Sequence, residues 1–287
     1  SIAVEQIEVL RDGAAAQYGS DAIAGVINFR LKRDNKGATF IARGGQFAKG
    51  DGTEYTAQAN VGMPLTADGF FNVSAEYTQA DPTSRGAQRP DAQALIDAGN
   101  TAINNPAQRW GNVESEAARV FFNAELPLGD NIDAYAFGNY GRSEGETEFF
   151  WRSPVSRTDI FTSVPLTNQP GGARFNFREW FPGGFAPIFG TKITDMSLMA
   201  GVNGQTDSGL RYDFSAGGAE NELNYRLSNT VNPSLGPDSP RSFDAGTMTQ
   251  QETQLHADFV YPWQTGMFAA PLNVAFGLEW REETCKI

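Results

Sequence analysis

Two-residue alternation restricts what this chain can fold into more than any other feature. From Ala38 onward, apolar and polar residues change places at every step over segments of ~10 residues, the period of a β-strand with two unlike faces. Tyr55, Ala57, Ala59, Val61 and Met63 share one phase; Glu54, Thr56, Gln58, Asn60 and Gly62 share the other. Phe71, Val73, Ala75 and Tyr77 oppose Asn72, Ser74, Glu76 and Thr78. Val120, Phe122, Ala124 and Leu126 oppose Arg119, Asn123 and Glu125, with Phe121 off the pattern. Segment 132–140 alternates less cleanly, because Tyr135 and Phe137 fall in the polar phase. Met196 to Val202, Leu210 to Ala216 and Leu255 to Tyr261 repeat the rule, and Leu272, Val274, Phe276, Leu278 and Trp280 show it most clearly. With a weaker segment at 39–47, about nine strands are expected.

The connections sort by length. Residues 65–69, 128–131 and 204–209 carry the Asp, Asn and Gly chemistry of tight turns. Between them fall long connections, 80–114, 144–190 and 228–248, and the link at 48–52 belongs with the long set. Strict alternation of short and long places all short turns at one rim of an up-and-down meander and all long loops at the other. Membrane barrels have that asymmetry, whereas a soluble sandwich has no reason to sort loops by parity. The apolar phase of the seventh segment switches after Ala216 to Leu223, Tyr225 and Leu227. Either a bulge near Gly217-Gly218 reverses the faces, or the distal part rises beyond the level where the outward face must be greasy. Tyr261 and Trp263 lie beside a short turn, where a barrel carries an interfacial aromatic girdle.

Composition agrees. The 287 residues contain 21 Phe and 31 Gly but only 20% charged residues, a balance suited to strands and turns. A net charge of −12 argues against a nucleic-acid partner. No apolar run reaches the ~18 residues of a membrane helix, which a barrel does not need. The single Cys285 excludes an internal disulfide and a multi-cysteine metal site.

The start of the chain has a different character. Residues 7–10 read as a strand, a Gly- and Ala-rich turn with a short helix follows, and residues 26–31 form a second strand. Gly13, Gly19 and Gly25 sit where the chain must change direction. Val4-Glu5-Gln6-Ile7-Glu8-Val9-Leu10-Arg11, Tyr18-Gly19-Ser20-Asp21-Ala22-Ile23 and Gly25-Val26-Ile27-Asn28 together resemble the end of the plug domain of TonB-dependent outer-membrane receptors. Asp12-Gly13 stands where that family commonly has Gly-Pro, and Ala24 where it has the first glycine of a pair.

The resemblance implies a division at 1–33, the C-terminal segment of a plug, and 34–287, the N-terminal portion of a transmembrane β-barrel of about 22 strands in its full form. The fold class is therefore mainly β: a partial antiparallel up-and-down barrel preceded by a piece of an α+β plug. It also implies a place in the bacterial outer membrane and energised import of a scarce ligand such as an iron chelate, cobalamin or carbohydrate. The implied partners are outer-membrane lipid, an unidentified ligand, and a TonB-type protein acting through a box expected upstream. A leader and most of the plug are expected to precede this segment. The segment alone is expected neither to insert nor to transport, because its end strands would expose unpaired backbone groups to lipid.

Two sets of site residues follow. In such receptors charged plug residues bond to the barrel wall, which nominates Glu8 and Arg11, with Glu54, Glu76 and Arg119 as wall partners; ordinary structural ion pairs would look the same in sequence. The 144–190 connection concentrates aromatic and cationic residues, among them Phe150, Trp151, Arg152, Arg174, Phe177, Arg178 and Trp180. Such density marks either a ligand surface or a loop packed on itself. Asp91 to Gly99 reads as a short helix capped by Asp91. No catalytic set, cofactor motif or metal spacing is present: the one histidine, His256, lies in the polar phase near Asp258 with no nucleophile placed beside it. Asn72-Val73-Ser74 is a chance glycosylation sequon within a strand. A secreted or surface adhesin or carbohydrate-binding module would also explain the alternation and acidity, though not the parity of the loops.

Overall fold

A computed structural model describes residues 1–11, 24–162, 164–165, 174–268 and 270–287. The expected turn and short helix between the first two strands fall almost wholly outside these residues. β1 (Val4–Leu10) and β2 (Val26–Leu31) pair antiparallel as a two-stranded sheet. Gly25, at φ +147°, begins the return strand; a Cβ there would lie 2.3 Å from the Leu10 carbonyl oxygen.

The main body is a nine-stranded antiparallel sheet. Its strands are β3 (Ala38–Gly45), β4 (Glu54–Pro64), β5 (Phe70–Ala80), β6 (Glu114–Gly129), β7 (Ile132–Glu148), β10 (Ile188–Gln205), β11 (Arg211–Ser228), β12 (Ser242–Trp263) and β13 (Leu272–Lys286). They lie side by side in chain order, interrupted only by a small pair, β8 (Val164–Pro165) and β9 (Arg174–Phe175), inside one long loop. All nine expected segments are therefore strands, in the expected meander. Several run further than alternation alone suggested: β10 and β11 have 18 residues and β12 has 22. At ~3.3 Å per residue that is twice the ~10 residues needed to cross a bilayer, so the loop-side halves extend past the apolar band.

The sheet has one apolar and one polar face. Phe40, Leu198, Phe276 and Leu278 are 54–76% exposed on the apolar side, Phe40 at 75% and Leu278 at 76%. Tyr55, Tyr77, Tyr140 and Trp280 mark the loop-side limit of this band, and Tyr261 and Trp263 its turn-side limit. Exposed apolar surface this continuous has no counterpart on a typical soluble monomer. Among the described residues no helix is long and apolar enough to cross a membrane.

The bulge expected near Gly217-Gly218 is absent. Leu198 faces Gly218, Met199 faces Gly217, and pairing continues unbroken to Ile188 and Ser228; the irregularity lies instead between Tyr225 and Arg226 against β12. Leu223, Tyr225 and Leu227 therefore stay on the polar face, above the apolar band. The helix α1 spans Pro90–Asp97, and its N-cap is Arg89 rather than Asp91, because Pro90 occupies the first turn. Asp91 lies inside the helix and pairs with Arg89 at 2.9 Å. Gly99, at φ +97°, closes the helix as expected.

Candidate functional site

The linker between the hairpin and the sheet identifies the polar side as the inner one. Residues 32–37 run along it: Asn123 Nδ2 donates to the Lys32 carbonyl at 3.0 Å, Asn72 Nδ2 to the Asp34 carbonyl at 3.2 Å, and the Gly62 amide to the Gly37 carbonyl at 2.9 Å. Arg33 forms an ion pair with Glu125 and lies 5.2 Å from the Phe70 ring centre. Gly62 permits this approach, since a Cβ there would meet the Asp34 oxygen at 2.3 Å.

The rest of the inner face is a hydrogen-bonded polar lining. Asn60 donates to Asn72 at 2.6 Å and to Ser74 at 2.8 Å; Arg119 pairs with Glu76 at 3.2 Å; Tyr135 donates to Asp213 at 2.7 Å. The off-phase Tyr135 thus has a hydroxyl partner, and a Cβ on Gly201 would collide with its ring. His256 contacts Gln254 at 2.8 Å. Among the described residues no group of three His, Cys, Asp or Glu converges to hold a metal.

The long loops cover the far rim in a shared structure. In one cluster Ile160, Phe161, Phe175, Phe177, Phe185 and Val231 are buried together, with α2 (Thr158–Phe161) supplying two of them. In the other, Trp151 packs on Ala92, Ile103 and Ala107, and its Nε1 donates to the Gly183 carbonyl at 3.1 Å. Asn100 bonds to Pro182 and Asn229 to Ala186, tying three loops to one another. A cleft of about 440 Å³ remains between them, bordered by Asn104, Arg109, Glu148, Trp151 and Phe181.

Glu8 bonds to Asn28 and Arg30 of its own hairpin rather than to the wall. Arg11 is exposed just past the end of β1, and Glu54 is exposed at the loop end of β4. Glu76 and Arg119 pair with each other along the wall, and the linker contact is made by Arg33 and Glu125. In the aromatic loop, Trp151 and Phe177 are buried, at 5% and 0% exposure, while Phe150 is 60% exposed. Trp180 sits edge-on to Phe175 and Phe177 and carries the Arg241 guanidinium 4.6 Å above its ring. Arg152 exchanges backbone hydrogen bonds with Phe185, and burial, then the charge of Arg157, push its guanidinium below the usual range. Arg178 Nε donates to the Pro154 carbonyl at 2.9 Å, and Arg174 lies exposed in β9. These residues are brought together mainly as the interior of the loop layer.

A surface that the loop composition did not reveal lies beside them. Phe149, one residue beyond β7, Phe189 of β10 and Tyr225 of β11 form a row with ring centres 5.5 and 5.6 Å apart, the second pair stacked and the first tilted by 49°. Continuous register puts this row on the inner face at the rim. Trp110 and Phe150 form an edge contact nearby, at 46% and 60% exposure. The phase switch at Leu223 to Leu227 was its signal in the sequence.

An antiparallel meander with an apolar outer and polar inner face, entered from a hairpin on the inner side, is a partial up-and-down transmembrane β-barrel. Among solved structures the chain is similar to the ferric enterobactin receptor PfeA of Pseudomonas aeruginosa (17% identity, TM-score 0.59, covering 99% of this chain and 36% of that one). It is likewise similar to the siderophore receptor PirA from Acinetobacter baumannii (17% identity, TM-score 0.57, 99% and 35%). These neighbours are TonB-dependent outer-membrane receptors that transport rather than catalyse. The chain spans about a third of their length, and at this identity the likeness is one of fold. No family model matches the chain.

Proposed function

We propose that this chain is the plug end (1–33) and the first nine wall strands (34–287) of a TonB-dependent receptor in the bacterial outer membrane. The receptor imports a scarce ligand, with a ferric siderophore as the first class to test. The observation that carries this reading is the linker at 32–37 held on the polar face of the sheet by Asn72, Asn123 and Glu125. A plug inside a barrel needs its exit there, whereas an adhesin or carbohydrate module has no use for it. Outer-membrane lipid meets the apolar band, and a TonB-type protein supplies energy through a segment outside this chain.

The inner aromatic row of Phe149, Phe189 and Tyr225 is the surface we assign to the incoming ligand, with Phe150 and Trp110 beside it. Trp151, Phe177, Trp180, Arg152, Arg174 and Arg178 hold the loops that frame it. Arg33 and Glu125 make the plug–wall contact at the linker; Glu8 and Arg11 on the plug, and Glu54, Glu76 and Arg119 on the wall, are the charges we assign to the contacts formed once the plug moves.

Uptake of labelled ferric siderophores, cobalamin and oligosaccharides in a deletion strain tests the function. One class is expected to fail and to be restored by the full-length gene only while the inner membrane is energised. Unchanged uptake of every class would remove the transport reading. In the restored strain, Phe189→Ala with Tyr225→Ala should weaken binding about tenfold, since each aromatic contact contributes ~0.5–1.5 kcal/mol.

A further inference from the structure

We propose that the inner rim of β7, β10, β11 and β12 seats the apolar body of an uncharged amphiphile, which fixes the chemical class of the imported ligand. This rests on assigning that rim to the incoming ligand.

Register divides the loop-side ends of these strands by charge. Over residues 143–148, 189–193, 223–227 and 243–248, Glu144, Glu146, Glu148, Lys192, Arg226 and Asp244 all point outward, in phase with Tyr140 and Leu198. Asn224 fixes this side for β12 beyond its irregular pairing, since it bonds to Asp244 at 3.3 Å and to Thr247 at 3.0 Å. Among the described residues none with a charge points inward over the same span. Ile193 faces Leu223, which faces Met248. Further out Tyr225 lies between Thr191 and Gly246, and beyond it Phe189 faces Leu227, which faces Phe243. The ring row of Phe149, Phe189 and Tyr225 runs through this patch.

Lipid does not impose the arrangement, because beyond the girdle both faces of the sheet meet water. Nor does the loop layer take up the inner side chains: neither of its two buried clusters includes them, and Met248 and Phe149 are 38% and 40% exposed. A contiguous apolar patch left facing water marks a contact surface. A charged group brought onto it would lose water without gaining a partner, so the part of the ligand that rests there is uncharged. One level lower, ~7 Å toward the lumen, the inner face turns polar: Gln250 faces Asn221, which bonds to Asp195. Hydrogen-bonding groups of the ligand belong at that level. The carboxylates of Asp195 and Glu252 disfavour an anionic end there, and the one inward cation on β10 to β12 is Arg211, far off at the turn side. A ferric chelate would meet this seat through an uncharged arm rather than through its anionic groups.

The test uses the full-length receptor in phosphatidylcholine vesicles and two aryl diazirines of one shape, an uncharged benzyl alcohol and an anionic benzoate, at equal free concentration. Photolabelled residues are located by mass spectrometry. The alcohol should mark Ile193, Leu223 and Tyr225 at least about fivefold more than the benzoate does. Leu223→Lys should reverse that preference. Leu223→Asn with Met248→Asn should lower alcohol labelling at Ile193 about fivefold, and serves if the lysine disturbs assembly. Labelling of Leu198 on the outward face, reached through lipid, should stay the same in every variant. No label at the inner residues, equal marking by both probes, or a preference that survives both variants overturns the seat and leaves the transport reading in place. A diazirine at the end of a phospholipid chain separates the two: it should mark Leu198 and not Leu223, and label at Leu223 would remove the assignment of faces on which the barrel rests.

Discussion

Gly62 shows what one absent side chain does for this protein. The linker passes so close to β4 that any Cβ at this position would overlap the Asp34 carbonyl and crowd the Lys36 amide at 2.9 Å. Gly62→Leu is therefore expected to push the linker from the wall at a cost of about 1–3 kcal/mol. Trypsin digestion of the full receptor reads this directly: cleavage at Lys32, Arg33 and Lys36 should accelerate, and an unchanged rate would show that the linker does not need this contact. A second residue-scale device joins the link at 46–53 to the next loop. Arg85 makes two hydrogen bonds to Asp51, at 2.9 and 2.6 Å, and lies 4.4 Å over the Phe47 ring. Those hydrogen bonds hold the Asp51 carboxyl below its ordinary 3.8, against burial acting in the other direction. A carboxylate whose folded value is depressed contributes fully above about pH 4, and its contribution is lost as pH falls through the folded value. Protection of the Phe47 and Asp81 amides, measured by hydrogen exchange, should fall across that acid window and lose its pH dependence in Asp51→Asn.

At the level of single elements, period two is read by solvent rather than by local propensity. Leu198 and Asn221 lie on β10 and β11, two neighbouring strands, but face oil and water respectively. Leu198→Lys should cost about 2–4 kcal/mol, as a cation on the apolar face near mid-bilayer does, whereas Asn221→Lys should be nearly neutral. Urea unfolding of the full receptor in lipid vesicles checks both, and equal effects would contradict the assignment of faces. Strand β11 carries the same lesson in reverse. Its apolar residues change phase without any slip in pairing, because above the girdle the outer face no longer meets lipid. Aromatics there collect on the inner face instead, as Phe189 and Tyr225 do. In the loops, Trp151 is a packing element first. Trp151→Ala should cost the loop layer about 3–5 kcal/mol, deprotecting the Arg152 and Phe185 amides to exchange while the strands keep their protection.

For the molecule as a whole, nine strands, their order and both faces were legible before any coordinates, because a membrane wall forces every residue to declare a side. Strand ends were less legible, since beyond the apolar band alternation carries no penalty and the ladder simply continues. The plug-like start announced itself through residues 4–11, 18–23 and 25–28, yet which charges meet the wall did not. Glu8 turned out to serve its own hairpin, while Arg33 and Glu125, distant in sequence, meet across the linker. The aromatic loop was visible as composition, but composition does not separate a ring buried against another ring from one left facing the lumen. Periodicity against two solvents is a local property and survives in the bare order of residues. Burial in the loop layer and the aromatic row at the rim arise from contacts between segments far apart in the chain, and only folding brings those together.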